Sequence, residues 1–167
     1  MNQGILIARL VIGLLMAAHG AQKAFGWFGG YGLAGTAGFF EKIGFRPGRF
    51  FAAAAAFGEI ASGLLVAFGF LGPIGPALMI AVMIVAAMSV HWANGLFAQN
   101  NGIEVPLLYA TGAAALALTG YGTLSLDALL GLTQFWTPVL AWGAILAGVV
   151  GGAANLALRR QPVAARS

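Results

Sequence analysis

Met16-Ala17-Ala18-His19-Gly20-Ala21-Gln22-Lys23 closes the first apolar run of the chain, and its reading decides the fold. Upstream, Ile5 to Ala18 is apolar except for Arg9. The run to about Ala24 approaches the roughly 20 residues that cross a bilayer as a helix. His19 and Lys23 stand four positions apart, so a helix presents them on one face. Ionisable groups in a membrane-length segment are costly and usually face a bundle interior or a wet cavity. The partners of that face are therefore the question the rest of the chain has to answer.

Outward from this stretch the composition is that of a membrane protein. Hydrophobic residues make up 60% of the 167 and charged residues only 7%, against about 25% charged in soluble domains. Four more apolar segments follow. They run from about 50 to 71 with Glu59 near the centre, from 76 to 97, from 105 to 121, and from 137 to 158. Pro76 and Pro106 suit first helical turns, and Thr137-Pro138 reads as a cap followed by a first helical residue. The runs are continuous, whereas barrel strands would alternate. The fold expected is all-α, a polytopic membrane helix bundle over residues 1–158. It has one transmembrane domain and a short basic tail at 159–167. The start Met1-Asn2-Gln3-Gly4 has no basic side chain before the apolar run, and Arg9 interrupts that run. It is expected to be a retained helix and not a leader peptide.

Charge sets the expected topology. Lys23, Lys42, Arg46 and Arg49 lie between the first two spans, and Arg159, Arg160 and Arg166 close the chain. Five spans put both groups on one side, which the positive-inside rule makes cytoplasmic, with the N-terminus outside. The net charge of +4 is thus a matter of topology, and no nucleic-acid partner is expected. Residues 25–49 form a cytoplasmic or interfacial loop rich in glycine and aromatic residues. Within it 33–43 can make a short helix turning Phe39, Phe40 and Ile43 toward lipid, and the loop can serve as an aromatic belt or as a lid over a pocket beside His19 and Lys23. Small residues every fourth position, at Ala54, Gly58 and Ser62 and again at Ala144, Gly148 and Gly152, favour close helix packing within the chain or in a homo-oligomer.

With that topology, His19, Lys23, Glu59, His91 and Glu104 fall in one leaflet. They can be polar glue between helices. They can equally form a pocket that binds and protonates a small polar head group. Arg9 and Asp127 fall at the opposite end, as an ion pair or as caps. The absence of cysteine excludes disulfides, thiolate metal sites and CxxC chemistry, so redox work requires a bound cofactor or a partner. His19 and His91 could ligate haem, and Met79, Met83 and Met88 could suggest copper. Core methionines and hydrogen-bonded histidines are the simpler account, and no metal site is expected.

Taken in order, His19-Gly20-x-x-Lys23-x-Phe25, Glu59-x-x-x-Gly63 with Gly69, His91, Glu104 with Leu107-Leu108-Tyr109, and Gly120-x-Gly122-x-x-Ser125-Leu126-Asp127 resemble the DoxX family over about residues 5–130. The resemblance implies a small helical membrane protein with a four-helix core, to which this chain adds a fifth span. The family's name-giving member is a subunit of a thiosulfate:quinone oxidoreductase, and others are membrane partners of soluble redox proteins. Quinone is therefore the cofactor to expect. Glu59, His19 and Lys23 are the candidate catalytic groups, with His91, Glu104 and Tyr109 as candidate cofactor-binding residues. A soluble redox protein is the expected partner, in a bacterial inner membrane. The competing expectations are a non-catalytic anchor and a small proton-coupled carrier.

Overall fold

The computed structural model describes residues 2–160; of the basic tail, 161–167 lie outside the described residues. The order is α1 (Asn2–Phe25), α2 (Gly32–Lys42), α3 (Gly48–Phe68), α4 (Ile74–Ala86), α5 (Glu104–Thr119), α6 (Leu126–Leu129) and α7 (Pro138–Ala157). α4 continues through a π turn at Ala87–His91 and a 3-10 turn at Trp92–Asn94. There are no strands among the described residues. Four helices are long and apolar enough to cross a membrane: Asn2–Phe25, Gly48–Phe68, Ile74–Asn94 and Pro138–Ala157. α5, with 16 residues, extends only about 24 Å. It nevertheless joins the two ends of the bundle, starting beside the loop at the end of α4 and finishing near Asn2 and Gly69.

Glycine sets the closest packing. A Cβ on Gly13 of α1 would sit 2.5 Å from the Ala67 nitrogen and the Gly63 oxygen, and one on Gly63 would sit 2.5 Å from the Ala17 nitrogen and the Gly13 oxygen. Neither backbone can yield, so α1 and α3 touch only because both positions lack side chains. α3 ends at Gly69, whose φ of 65° is the left-handed cap that suits glycine. The Gly69 N–H donates to Val66 and the Phe70 N–H to Leu65. Thr137 caps α7 by accepting from the Leu140 N–H at 3.3 Å, with Pro138 as the first helical residue. Both roles follow the reading of the sequence.

The small-residue stripes are used within the chain. Gly148 and Gly152 of α7 seat against the Ala77 and Ala81 carbonyls of α4, and Gly58 meets Val82 of α4. Ser62 is buried, whereas Ala54 is exposed. Two apolar cores result. One joins α1, α3, α4 and α5 through Met16, Val66, Met79, Met83 and Leu116. The other joins α2 to α3 through Phe40, Phe45 and Phe51. Phe40 therefore turns inward, contrary to the expectation that it faces lipid. Its ring packs on Phe45, at 5.7 Å between centroids, where it is worth more than on a lipid-facing surface. Phe39 is exposed as expected.

The described basic residues of the two groups come to one end of the bundle. The Arg159 side chain donates through Nε to the Ile43 carbonyl at 2.6 Å, and the Arg160 N–H donates to Gly44 at 2.9 Å. The start of α3 and the end of α7 thus share an end, as the four helices α3, α4, α5 and α7 running alternately between the two ends require.

Candidate functional site

Lys23 occupies the last turn of α1, where a cation suits the helix dipole. Glu59 stands on the inward face of α3, about 17 Å from its start. The Lys23 ammonium donates to both Glu59 oxygens, at 2.8 and 2.7 Å. The two side chains are unequally placed: Glu59 is 4% exposed and Lys23 29%. This is the one ion pair among the described residues. The Thr36 hydroxyl of α2 donates to the Lys23 carbonyl at 3.4 Å, which holds the short helix over the end of α1.

The remaining predicted residues divide. His19, one turn before Lys23 on α1, packs edge to face on Tyr109 of α5, 5.9 Å between centroids. The structure therefore gathers His19, Lys23, Glu59 and Tyr109. Glu104 does not join them. Its carboxylate accepts from the Ala98 N–H at 2.7 Å and folds the 95–104 loop onto the first turn of α5. His91 donates from Nδ1 to the Asn101 carbonyl of the same loop at 2.8 Å, and also reaches the cavity described next.

A cavity of about 490 Å³ opens beside the ion pair, bounded by α2, α3, α4 and α7. Lys23 and Glu59 line one part, and Ser89, His91 and Asn155 contribute polar groups from α4 and α7. Between them the wall is apolar, with Phe39, Phe40, Val82 and Val85. The glycine-rich loop and α2 form a wall of this cavity through Gly29, Gly30, Tyr31 and Thr36. His19 and Tyr109 lie on the other side of the ion pair and do not line it. Sequence reasoning missed Gln22, Ser89 and Asn155. Gln22 sits in the opening stretch, and Asn155 is a lone amide in the apolar Gly152–Leu156 run, a polar interruption that could have marked it. Ser89 enters through the π turn at Ala87–His91, a local widening for which no pattern in the residues gives warning.

The metal readings find little geometry. Met79 and Met83 are core residues, and Met88 is exposed. No three His, Cys, Asp or Glu side chains among the described residues are placed to hold a metal ion.

At the opposite end Arg9 and Asp127 do not form an ion pair. Buried Arg9 donates to the Ala67 carbonyl at 3.0 Å and to the Leu124 carbonyl, joining the end of α3 to the loop before α6. Asp127 accepts from the Leu71 and Gly72 N–H groups at 2.9 and 2.7 Å and so caps the turn into α4. Backbone groups at helix ends lack internal partners, and each side chain is taken up by them before the two can meet. Ser125 caps α6 by accepting from Ala128 at 3.2 Å.

Compared with known proteins, a family model described as DoxX matches residues 4–92, just over half of the chain. The matched stretch carries His19, Lys23, Glu59 and His91, and leaves α5 to α7 outside. No curated protein and no solved structure matches the chain.

Proposed function

Because this chain belongs to the DoxX family, we propose that it is a membrane subunit supporting quinone-linked redox chemistry, with the cavity beside Lys23 and Glu59 as the seat of the head group. The single observation that carries this reading is the buried ion pair on the edge of an apolar cavity of about 490 Å³. Such a cavity is within the size range of small-molecule sites. Its chemistry suits a flat, apolar ring with carbonyl oxygens: aliphatic and aromatic walls for the ring, and an ammonium and an imidazole for the oxygens.

A quinone supplies an acceptor that takes up two electrons and two protons. On the protein side, the part-exposed Lys23 donates a hydrogen bond to a carbonyl oxygen. Glu59 holds that ammonium in place and relays protons. His91 and Ser89 address the ligand from α4, while His19 and Tyr109 support the carboxylate from behind. The chain has no cysteine, so no thiol supplies the electrons, and in this reading a soluble redox partner delivers them. The bilayer is that of a bacterial inner membrane, with the basic end cytoplasmic and the N-terminus outside.

The test is a lipid-extract mass spectrum and a UV–visible spectrum of detergent-purified protein, wild type beside Glu59→Gln. Quinone that co-purifies with the wild type and is depleted in the variant supports the reading. A clean wild-type spectrum would replace it with the anchor reading. One observation favours that second reading on its own account: both Glu59 oxygens are already taken by Lys23, as in a purely structural clamp between α1 and α3. A soluble redox enzyme recovered with quinone-free protein would then identify the anchor. A proton-coupled carrier would bring none.

A further inference from the structure

We propose that the seam between the α2–α3 connection and the end of α7 binds the phosphate of one anionic phospholipid. Five cationic residues lie on the two segments it joins: Lys42, Arg46 and Arg49 on one side, Arg159 and Arg160 on the other, all exposed. None belongs to an ion pair among the described residues. The one acid in these two segments, Glu41, accepts from the Gly48 N–H at 3.2 Å and keeps its charge, so the seam carries an excess of four positive charges, five less one. Segments about 115 residues apart are held together by the two bonds to the Ile43 and Gly44 carbonyls. Gly44, at φ +97°, also makes room for the Arg160 carbonyl where a Cβ would collide with it.

Among the described residues these two segments carry five exposed cations and one acid, so their surface is positive and attracts anions. The surroundings choose which anion. Phe50 and Leu158, at the ends of the membrane-length α3 and α7, are exposed at 63 and 59%, and Phe39 of the short α2 at 43%. A phosphodiester with acyl chains satisfies both halves of this surface, the cations through its phosphate and the apolar side chains through its tails. Free phosphate satisfies only the first. The site is completed by α7, which lies beyond the stretch matched to the family.

The experiment titrates the full-length chain in detergent with phosphatidylglycerol, phosphatidylcholine or inorganic phosphate, reading retained lipid by native mass spectrometry and unfolding temperature by tryptophan fluorescence. Phosphatidylglycerol is expected to remain bound one to one and to raise the unfolding temperature, with no comparable effect from the other two. Each charge removed should weaken retention about fivefold, so Arg46→Gln, Arg49→Gln and Arg160→Gln together should weaken it about a hundredfold. The corresponding three lysine substitutions should keep it within about fivefold of wild type. Equal binding of phosphatidylcholine, protection by phosphate alone, or unchanged retention in the triple glutamine variant would overturn the proposal. Should the glutamine variant not fold, the lipid comparison on wild type and the lysine variant decides. The seam contains neither Lys23 nor Glu59, so its outcome is independent of the quinone reading.

Discussion

Replacing Lys23 with methionine isolates the energetics of the ion pair. Methionine keeps most of the apolar stem and removes the ammonium that serves both Glu59 oxygens. Glu59, 4% exposed, is then left largely buried without its partner. Removing one member of a buried pair costs about 3–5 kcal/mol, because an uncompensated charge remains. For a chain of this length that corresponds to a fall of roughly 6–20 °C in unfolding temperature. The converse change, Glu59→Gln, leaves Lys23, whose side chain is 29% exposed and can turn its ammonium to water. It should cost clearly less. The double variant should recover much of the Lys23→Met loss, giving a coupling energy of about 2 kcal/mol or more. The assay is thermal unfolding in fixed detergent, followed through the four tryptophans. If Glu59→Gln proves as harmful as Lys23→Met, or the two losses simply add, the asymmetric burial is not what governs this pair and the reasoning fails.

The helix contacts give a sharper steric expectation. Gly63→Val should destabilise by about 3 kcal/mol or more, since its Cβ falls 2.5 Å from the Ala17 nitrogen and the Gly13 oxygen. Gly143→Ala meets open space and should not destabilise in the same unfolding assay. Asp127→Ala strips the Leu71 and Gly72 N–H groups of a charged acceptor and should cost about 2–3 kcal/mol, with Asn recovering part of it; hydrogen exchange at the start of α4 would report the opened turn. Glu104→Gln should leave quinone retention unchanged while Glu59→Gln depletes it, as measured in lipid extracts. A matching loss in both would return Glu104 to the site.

Much of the architecture was legible because a bilayer constrains a sequence so strongly. Continuous apolar runs, capping at Thr137 and the small residues of α7 each have one economical reading when every backbone polar group must be satisfied internally. The site was legible in part for the same reason. His19, Lys23 and Glu59 are expensive where they stand, so a common location could be expected of them. Glu104 was misplaced because it lies at a helix start, where a nearby backbone N–H competes for its carboxylate and wins by proximity. Arg9 and Asp127 failed to pair for a like reason, each being claimed by backbone groups freed at the ends of α3 and α4. Phe40 was misoriented because the short α2 has no membrane-length constraint to fix which face it turns inward.

By itself, then, the sequence determined the helix bundle, the common end at which its described basic residues gather, and the identity of the costly groups needing partners. These follow from composition, period and the price of unsatisfied polar groups, all of which are local or additive along the chain. Only the tertiary structure decided that Lys23 and Glu59 pair with unequal exposure, that a cavity opens beside them with Ser89 and His91 of the Ala87–His91 π turn in its wall, and that α7 brings Arg159 and Arg160 to the Ile43–Gly44 turn. Those depend on how closely glycine faces let helices approach and on which of several competing acceptors lies nearest, distances that residue spacing along one helix does not contain.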